Sequence, residues 1–148
     1  MELSKRQQRR QQIGEMVAHP AVVALPFERA LEVFLAAQEG SGHSRETCSD
    51  YEVVIRLFCS FMATAQGYTA IEQVTEADIY GWLAYLRNNP NRWGQPYSSR
   101  SIQTYSRDVK VFFRWLIEHR YVAMNPMEQV KTPKVERPLI RVYTEEEL

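Results

Sequence analysis

Cysteine is scarce. The 148-residue chain has two, Cys48 and Cys59, too few for the disulfide framework of a small secreted domain. If both lie on one helix, their separation of 11 positions puts them roughly 16 Å apart, too far to bridge. The expectation is two reduced thiols at the edge of a core, in a cytoplasmic protein. Histidine is also sparse: His19, His43 and His119 stand apart, with no cysteine or carboxylate at ligand spacing. Neither a metal site nor a cofactor is expected. No apolar run approaches the ~20 residues that span a bilayer, so no membrane partner is expected. The segment 1–12 is basic and glutamine-rich, with no apolar stretch behind it, and is not a secretory leader. Six glycines and seven prolines exclude collagen-like and low-complexity chains.

Net charge is absent as well, since 18 Lys and Arg balance 18 Asp and Glu. That excludes a uniformly basic coat but says nothing about local patches. The balance hides an asymmetry. Residues 1–26 carry net +2, residues 27–91 net −5, residues 92–143 net +6, and the closing glutamates −3. Cations are therefore concentrated in the second half of the chain.

With apolar residues at 45% and aromatics at 11%, the composition is globular, and the spacing of those residues is helical throughout. A first amphipathic segment runs from Pro26 or Phe27 to Gln38, with Ala30, Leu31, Phe34 and Leu35 on one stripe. A break at Glu39-Gly40-Ser41-Gly42 precedes a long helix from about Ser44 to Gln66. Ser44 is its N-cap, Gly67 ends it, and Tyr51, Val54, Ile55, Phe58, Phe61, Met62 and Ala65 form its core face. Thr75 opens a third helix with Glu76 and Asp78 in its first turn and Ile79, Trp82, Leu83 and Leu86 inward. The stretch from Asn88 to Pro96, rich in proline and asparagine, is a loop. A fourth helix spans about Ser98 to His119, and Asn125-Pro126 marks a turn into a single helical turn ending near Val130. The expected fold is all-α, a compact bundle of four to five helices over residues 27–130. Residues 1–26 form a flexible basic segment before it, and residues 131–142 an extended linker after it. Thr144-Glu145-Glu146-Glu147 is a capping box before Leu148, read as the start of a further domain.

The fourth helix divides sharply. At about 100° per residue, Arg100, Gln103, Arg107, Lys110 and Arg114 fall within an arc of about 80°. Ile102, Tyr105, Val109, Phe112, Phe113 and Leu116 occupy the opposite side. One face packs, and the other presents donors suited to phosphate and to base edges: arginine and glutamine bidentately, lysine as a point charge. Val111 and Trp115 fall near the basic side and are expected to pack on a neighbouring helix. At the start of the second helix, His43, Ser44 and Thr47 cluster where free backbone N–H groups can receive a phosphate, and Arg45 lies beside them. Ordinary capping by Ser44 accounts for part of this pattern.

Thr47, Tyr51, Ile55 and Phe58, followed by Val74-Thr75 and Asp78-Ile79, resemble the N-terminal core-binding (SAM-like) domain of tyrosine recombinases, the phage-integrase and Xer-like family. The resemblance continues through Ser98, Ile102, Val109-Lys110, Phe112-Phe113, Trp115-Leu116, Asn125-Pro126 and Thr132-Pro133-Lys134. It closes on Pro138-Leu139 and Thr144-Glu145-Glu146-Glu147-Leu148, and so covers about residues 27–148. It implies a helical bundle forming half of a C-shaped clamp on recombination-site duplex DNA, with the second and fourth helices toward the major groove and a basic linker leading on. Carried over by position, it implies DNA contact by His43, Arg45 and Thr47, by Arg100, Gln103, Arg107, Lys110 and Arg114, and by Lys131, Lys134 and Arg137 on the linker. Other recombinase protomers are the implied protein partners.

The family's chemistry uses an arginine, a lysine, a His-x-x-Arg pair, a histidine or tryptophan and a nucleophilic tyrosine, and no such set is found here. No Ser-His-Asp arrangement, phosphate-binding glycine loop or paired-carboxylate site replaces it. The expectation is a DNA-binding domain that does not itself cut or join strands, the parent enzyme working through a 3′-phosphotyrosine. A second reading is a helical protein–protein interaction module without DNA binding, with Ala30, Leu31, Phe34 and Leu35 packing against a neighbouring protomer.

Overall fold

A computed structural model describes residues 4–5 and 24–135. Four α-helices follow in order: α1 (Phe27–Gly40), α2 (Arg45–Ala65), α3 (Glu76–Asn88) and α4 (Ser99–Glu118), with a short 3-10 turn at Ile71–Gln73 between α2 and α3. The described residues are an all-α bundle, as the periodicity requires. Isolated backbone bridges at Pro26–Ala70 and Pro90–Pro96 are its extended pairings.

The helix starts follow from local chemistry. Ser44, Thr75 and Ser98 are the N-caps of α2, α3 and α4, and each side-chain oxygen accepts from the backbone N–H three residues on. Asp78 completes a capping box with Thr75, its Oδ2 accepting from the Thr75 N–H at 2.9 Å and from the Tyr68 hydroxyl at 2.9 Å. Burial works to raise the Asp78 pKa, but these donors outweigh it and hold the carboxyl below its ordinary range. Beyond α2, Gly67 takes φ +69, the left-handed region that turns the chain out of the helix. α1 has no side-chain cap at Pro26. The chain before it is held instead by pairing: Leu25 N–H donates to Glu72 Oε1 at 2.7 Å, and Ile71 N–H to the Leu25 carbonyl at 2.9 Å.

The core draws on all four helices. Phe34, Ile55, Phe58, Met62, Ile79, Trp82, Leu86, Val109, Phe112 and Leu116 are fully buried. Phe34 meets three rings edge-on, Phe112 at 5.2 Å, Tyr51 at 5.4 Å and Trp115 at 5.7 Å, and so joins α1 to α2 and α4. Trp115 and Val111 do pack inward, half-buried against this core. Ala65, assigned to the inner stripe of α2, is exposed in the last turn. Both cysteines lie on α2, and burial pushes the Cys59 thiol up to about 12.

One expectation about α1 is corrected. Ala30, Leu31 and Phe34 are 0%, 3% and 0% exposed. They fill the chain's own core and are not available to a neighbouring protomer. Leu35 is half-buried against the same core. An amphipathic stripe identifies an apolar face, and here α2 and α4 cover it. After α4, Val122, Met127 and Val130 are buried and return the chain to the bundle through hydrogen-bonded turns at Asn125–Glu128 and Met127–Val130. Residues 131–135 then follow without regular secondary structure. The rest of the linker, the capping box at Thr144 and most of the basic N-terminal segment lie outside the described residues.

Candidate nucleic-acid interface

α4 displays its cations because its apolar residues hold the other side in the core. Arg100, Arg107 and Arg114 are exposed, while Gln103 and Lys110 are half-buried at the margin of the same stripe. The first turns of α2 lie alongside. The Asp108 carboxylate and the Arg114 guanidinium both act on the Tyr51 hydroxyl, and Asp50 acts on Asp108. The two elements assigned to one binding face therefore pack side by side, with Asp50, Tyr51 and Asp108 in the seam.

That seam is not purely cationic. Burial, reinforced by the Asp50 charge, raises the Asp108 carboxyl to about 6, against the opposing pull of Arg107. At the start of α2, His43 and Arg45 are exposed and Thr47 is half-buried. The Ser44 hydroxyl donates to Thr47 Oγ1 at 2.9 Å and accepts from the Thr47 N–H at 3.1 Å. Ser98 and Ser101 repeat this arrangement on α4 at 2.9 and 3.0 Å. One N–H of each helix start is thus satisfied internally, and Thr47 serves the cap.

The linker comes back to α4. Gln103 Nε2 donates to the Pro133 carbonyl at 3.3 Å, and the Lys131 N–H donates to the Tyr80 hydroxyl at 3.4 Å. Lys131 and Lys134 are both exposed, Lys131 held at its backbone to Tyr80 of α3 and Lys134 next to the Pro133 that meets α4. Gln103, assigned by periodicity to base contact, spends an amide hydrogen on this internal bond. Arg137 lies outside the described residues.

Ion pairing separates two surfaces. Among the described residues the ion pairs are Arg29–Glu32 at 2.9 Å, Arg56–Glu52 at 2.9 Å and Arg56–Glu28 at 3.3 Å, all on α1 and α2. No described cation of α4, of the loop before it or of residues 131–135 belongs to one. Arg87 and Arg92 share this state and were missed by helical periodicity, because one ends α3 and the other sits in a loop. A different signal marks them: residues 79–107 contain four arginines and no acidic residue. Among the described residues no group of three or more His, Cys, Asp and Glu side chains could hold a metal ion. No helix there is long and apolar enough to cross a membrane.

A family model described as the phage integrase N-terminal SAM-like domain matches residues 34–117, from the middle of α1 to the end of α4. The chain belongs to this family. It is 32% identical over 101 residues to tyrosine recombinase XerD of Listeria monocytogenes serotype 4b (strain F2365), covering 68% of this chain and 32% of that protein. Tyrosine recombinase XerC of Roseiflexus castenholzii (strain DSM 13941 / HLO8) is 30% identical over 101 residues, with 68% of this chain and 30% of that protein covered. The chain thus spans about a third of the length of the curated relatives it matches. Solved structures agree in fold. The N-terminal domain of a phage integrase/site-specific recombinase from Haloarcula marismortui superposes with TM-score 0.62 at 16% identity, over 74% of this chain and 98% of that one. The integrase from mycobacterium phage Brujita gives TM-score 0.58 at 20% identity, over 73% of this chain and 33% of that one. The family assignment made from scattered residues of the sequence thus stands, over the four-helix core of the wider span read there.

Proposed function

We propose that this chain is the core-binding domain of a site-specific tyrosine recombinase and grips duplex DNA at a recombination half-site. In this reading α4 and the start of α2 face the major groove, with Lys131 and Lys134 extending the contact along the backbone. Strand breakage and rejoining belong to catalytic residues outside this chain. The carrying observation is that, among the described residues, the cations of α4, its preceding loop and the start of the linker form no ion pair, whereas those of α1 and α2 facing Glu28, Glu32 and Glu52 are neutralised. Exposed arginines left unpaired on one side, in a chain of zero net charge, provide a local field for a polyanion.

The test is titration of duplex DNA across a salt series. Each phosphate neutralised contributes about −0.9 to the slope of log affinity against log salt. A slope corresponding to several contacts supports the reading, and no binding even at low salt refutes it for this chain. Phosphate contacts supply most of the affinity, while base readout is modest and rests on Arg100 and Arg107.

A further inference from the structure

The loop between α3 and α4 is a built feature with an unexplained surface. The backbone bridge between Pro90 and Pro96 closes its base. Inside it the Asn91 N–H donates to the Gln95 carbonyl at 2.7 Å, and the Gly94 N–H to the Asn91 carbonyl at 2.9 Å. Asn91 Oδ1 accepts from the N–H groups of Trp93 at 2.9 Å and Gln95 at 3.0 Å. Gly94 has φ +77, a conformation that side chains rarely adopt. This network fixes the loop and presents Trp93 at its tip.

Trp93 is 69% exposed, and the Arg92 guanidinium lies 4.2 Å from its ring centroid. The chain's other two tryptophans are buried or half-buried in the core. The Trp93 ring lies outside the hydrophobic core and packs on Arg92, so the pair offers an apolar ring and a guanidinium together at the surface. From residue 79 to residue 107 the chain carries Arg87, Arg92, Arg100 and Arg107 and no acid. The loop leads through Pro96 and Tyr97 into the N-cap of α4 at Ser98, two residues before Arg100.

We propose that the Asn91–Gln95 loop is a second DNA contact, in which Arg92 pairs with a phosphate and the Trp93 ring lies against the adjoining sugar. The loop would extend the grip beyond the N-terminal end of α4. The occupant is a nucleic-acid backbone rather than an acidic protein segment, because the acid-free run that holds the loop also supplies Arg100 and Arg107 of the α4 stripe. This inference rests on the DNA reading given above. The cation–π contact holds the guanidinium in one orientation before binding, which lowers the ordering cost of the phosphate contact.

The experiment compares the full 148-residue chain with Arg92→Gln, Trp93→Ala and Arg107→Ala in duplex-DNA titrations across salt, with thermal melting of each. Arg92→Gln should make the log–log salt slope shallower by about 0.9, the loss of one phosphate. Trp93→Ala should weaken binding roughly three- to tenfold, since both the ring and the orientation of Arg92 are lost. Neither should lower the melting temperature, because both side chains are exposed. Duplex DNA should also quench the emission of Trp93, a change absent from Trp93→Phe. Wild-type affinity and slope in both loop variants, with binding weakened by Arg107→Ala, would overturn the loop contact and leave the DNA reading standing. No binding by the unsubstituted chain would remove both.

Discussion

Gln103 and Pro133 lie thirty positions apart, yet the glutamine amide donates to the proline carbonyl at 3.3 Å. A residue at the margin of the cationic stripe of α4 therefore helps set where the chain leaves the bundle. Together with the Lys131 N–H on the Tyr80 hydroxyl, this bond ties the outgoing segment to both α3 and α4, with Lys134 next to the residue that meets the α4 stripe.

Removing that bond should loosen the segment. Gln103→Leu keeps the side-chain bulk but loses the donor, and a net hydrogen bond of about 0.5–1.5 kcal/mol corresponds to roughly two- to tenfold more opening. Trypsin should cleave after Lys131 and Lys134 faster by that factor, while Arg137, followed by Pro138, resists it in both proteins. Tyr80→Phe should act in the same direction. Unchanged cleavage in both variants would mean that burial of Met127 and Val130 alone holds the segment.

Asp108 gives the molecule a pH dependence of definite sign. Its folded-state pKa of about 6 stands above the ordinary 3.8, so the folded chain binds this proton more tightly than the unfolded chain does. The stability contributed is full below the unfolded value and is lost as pH rises through about 6. Asp108→Asn should therefore melt higher than the parent at pH 8, with the difference shrinking towards pH 4. Asp50→Asn should show a smaller effect of the same sign. An Asp108→Asn protein that melts lower at pH 8 would show that the carboxylate is held by favourable partners instead.

Phe34 should be among the costliest positions to truncate. It is fully buried and edge-on to three rings, so Phe34→Ala is expected to cost about 3–5 kcal/mol in urea denaturation. Leu35→Ala, next along the chain but half-buried, should cost clearly less. Equal costs would contradict the assignment of Phe34 to the internal core and reopen α1 as a surface for another protomer.

The helices were legible because their signals are local. Ser44, Thr75 and Ser98 cap within three residues, and apolar spacing orients Ile79, Trp82, Val109 and Phe112 without knowledge of the partner. The same spacing could not say what covers a stripe. The spacing of Ala30, Leu31 and Phe34 suits a neighbouring protomer equally well, yet α2 and α4 already bury them. Gln103 was assigned to bases because its angle matches that of Arg107, yet its partner arrives thirty residues later. The acidic seam of Asp50 and Asp108 depends on how α2 meets α4, which no single-helix periodicity contains. Arg92 and Trp93 escaped because a loop has no period, although the acid-free run around them was readable throughout.

Two pairs of arginine and lysine substitutions separate a face from a net charge. Arg107→Ala with Lys110→Ala removes two cations from α4, and Arg29→Ala with Arg56→Ala removes two from α1 and α2. The change in total charge is identical. If DNA is gripped by the unpaired face, the first pair should make the salt slope shallower by up to about 1.8, at about 0.9 per phosphate. The second should leave the slope unchanged, because those guanidiniums already answer Glu28, Glu32 and Glu52. Stability should move the other way. The α4 pair should change it by no more than about 0.5 kcal/mol, the usual range for surface sites, while the α1–α2 pair loses its exposed ion pairs, each worth up to about 1 kcal/mol. Equal loss of DNA affinity in the two proteins would show that long-range charge, and not the α4 surface, draws the duplex.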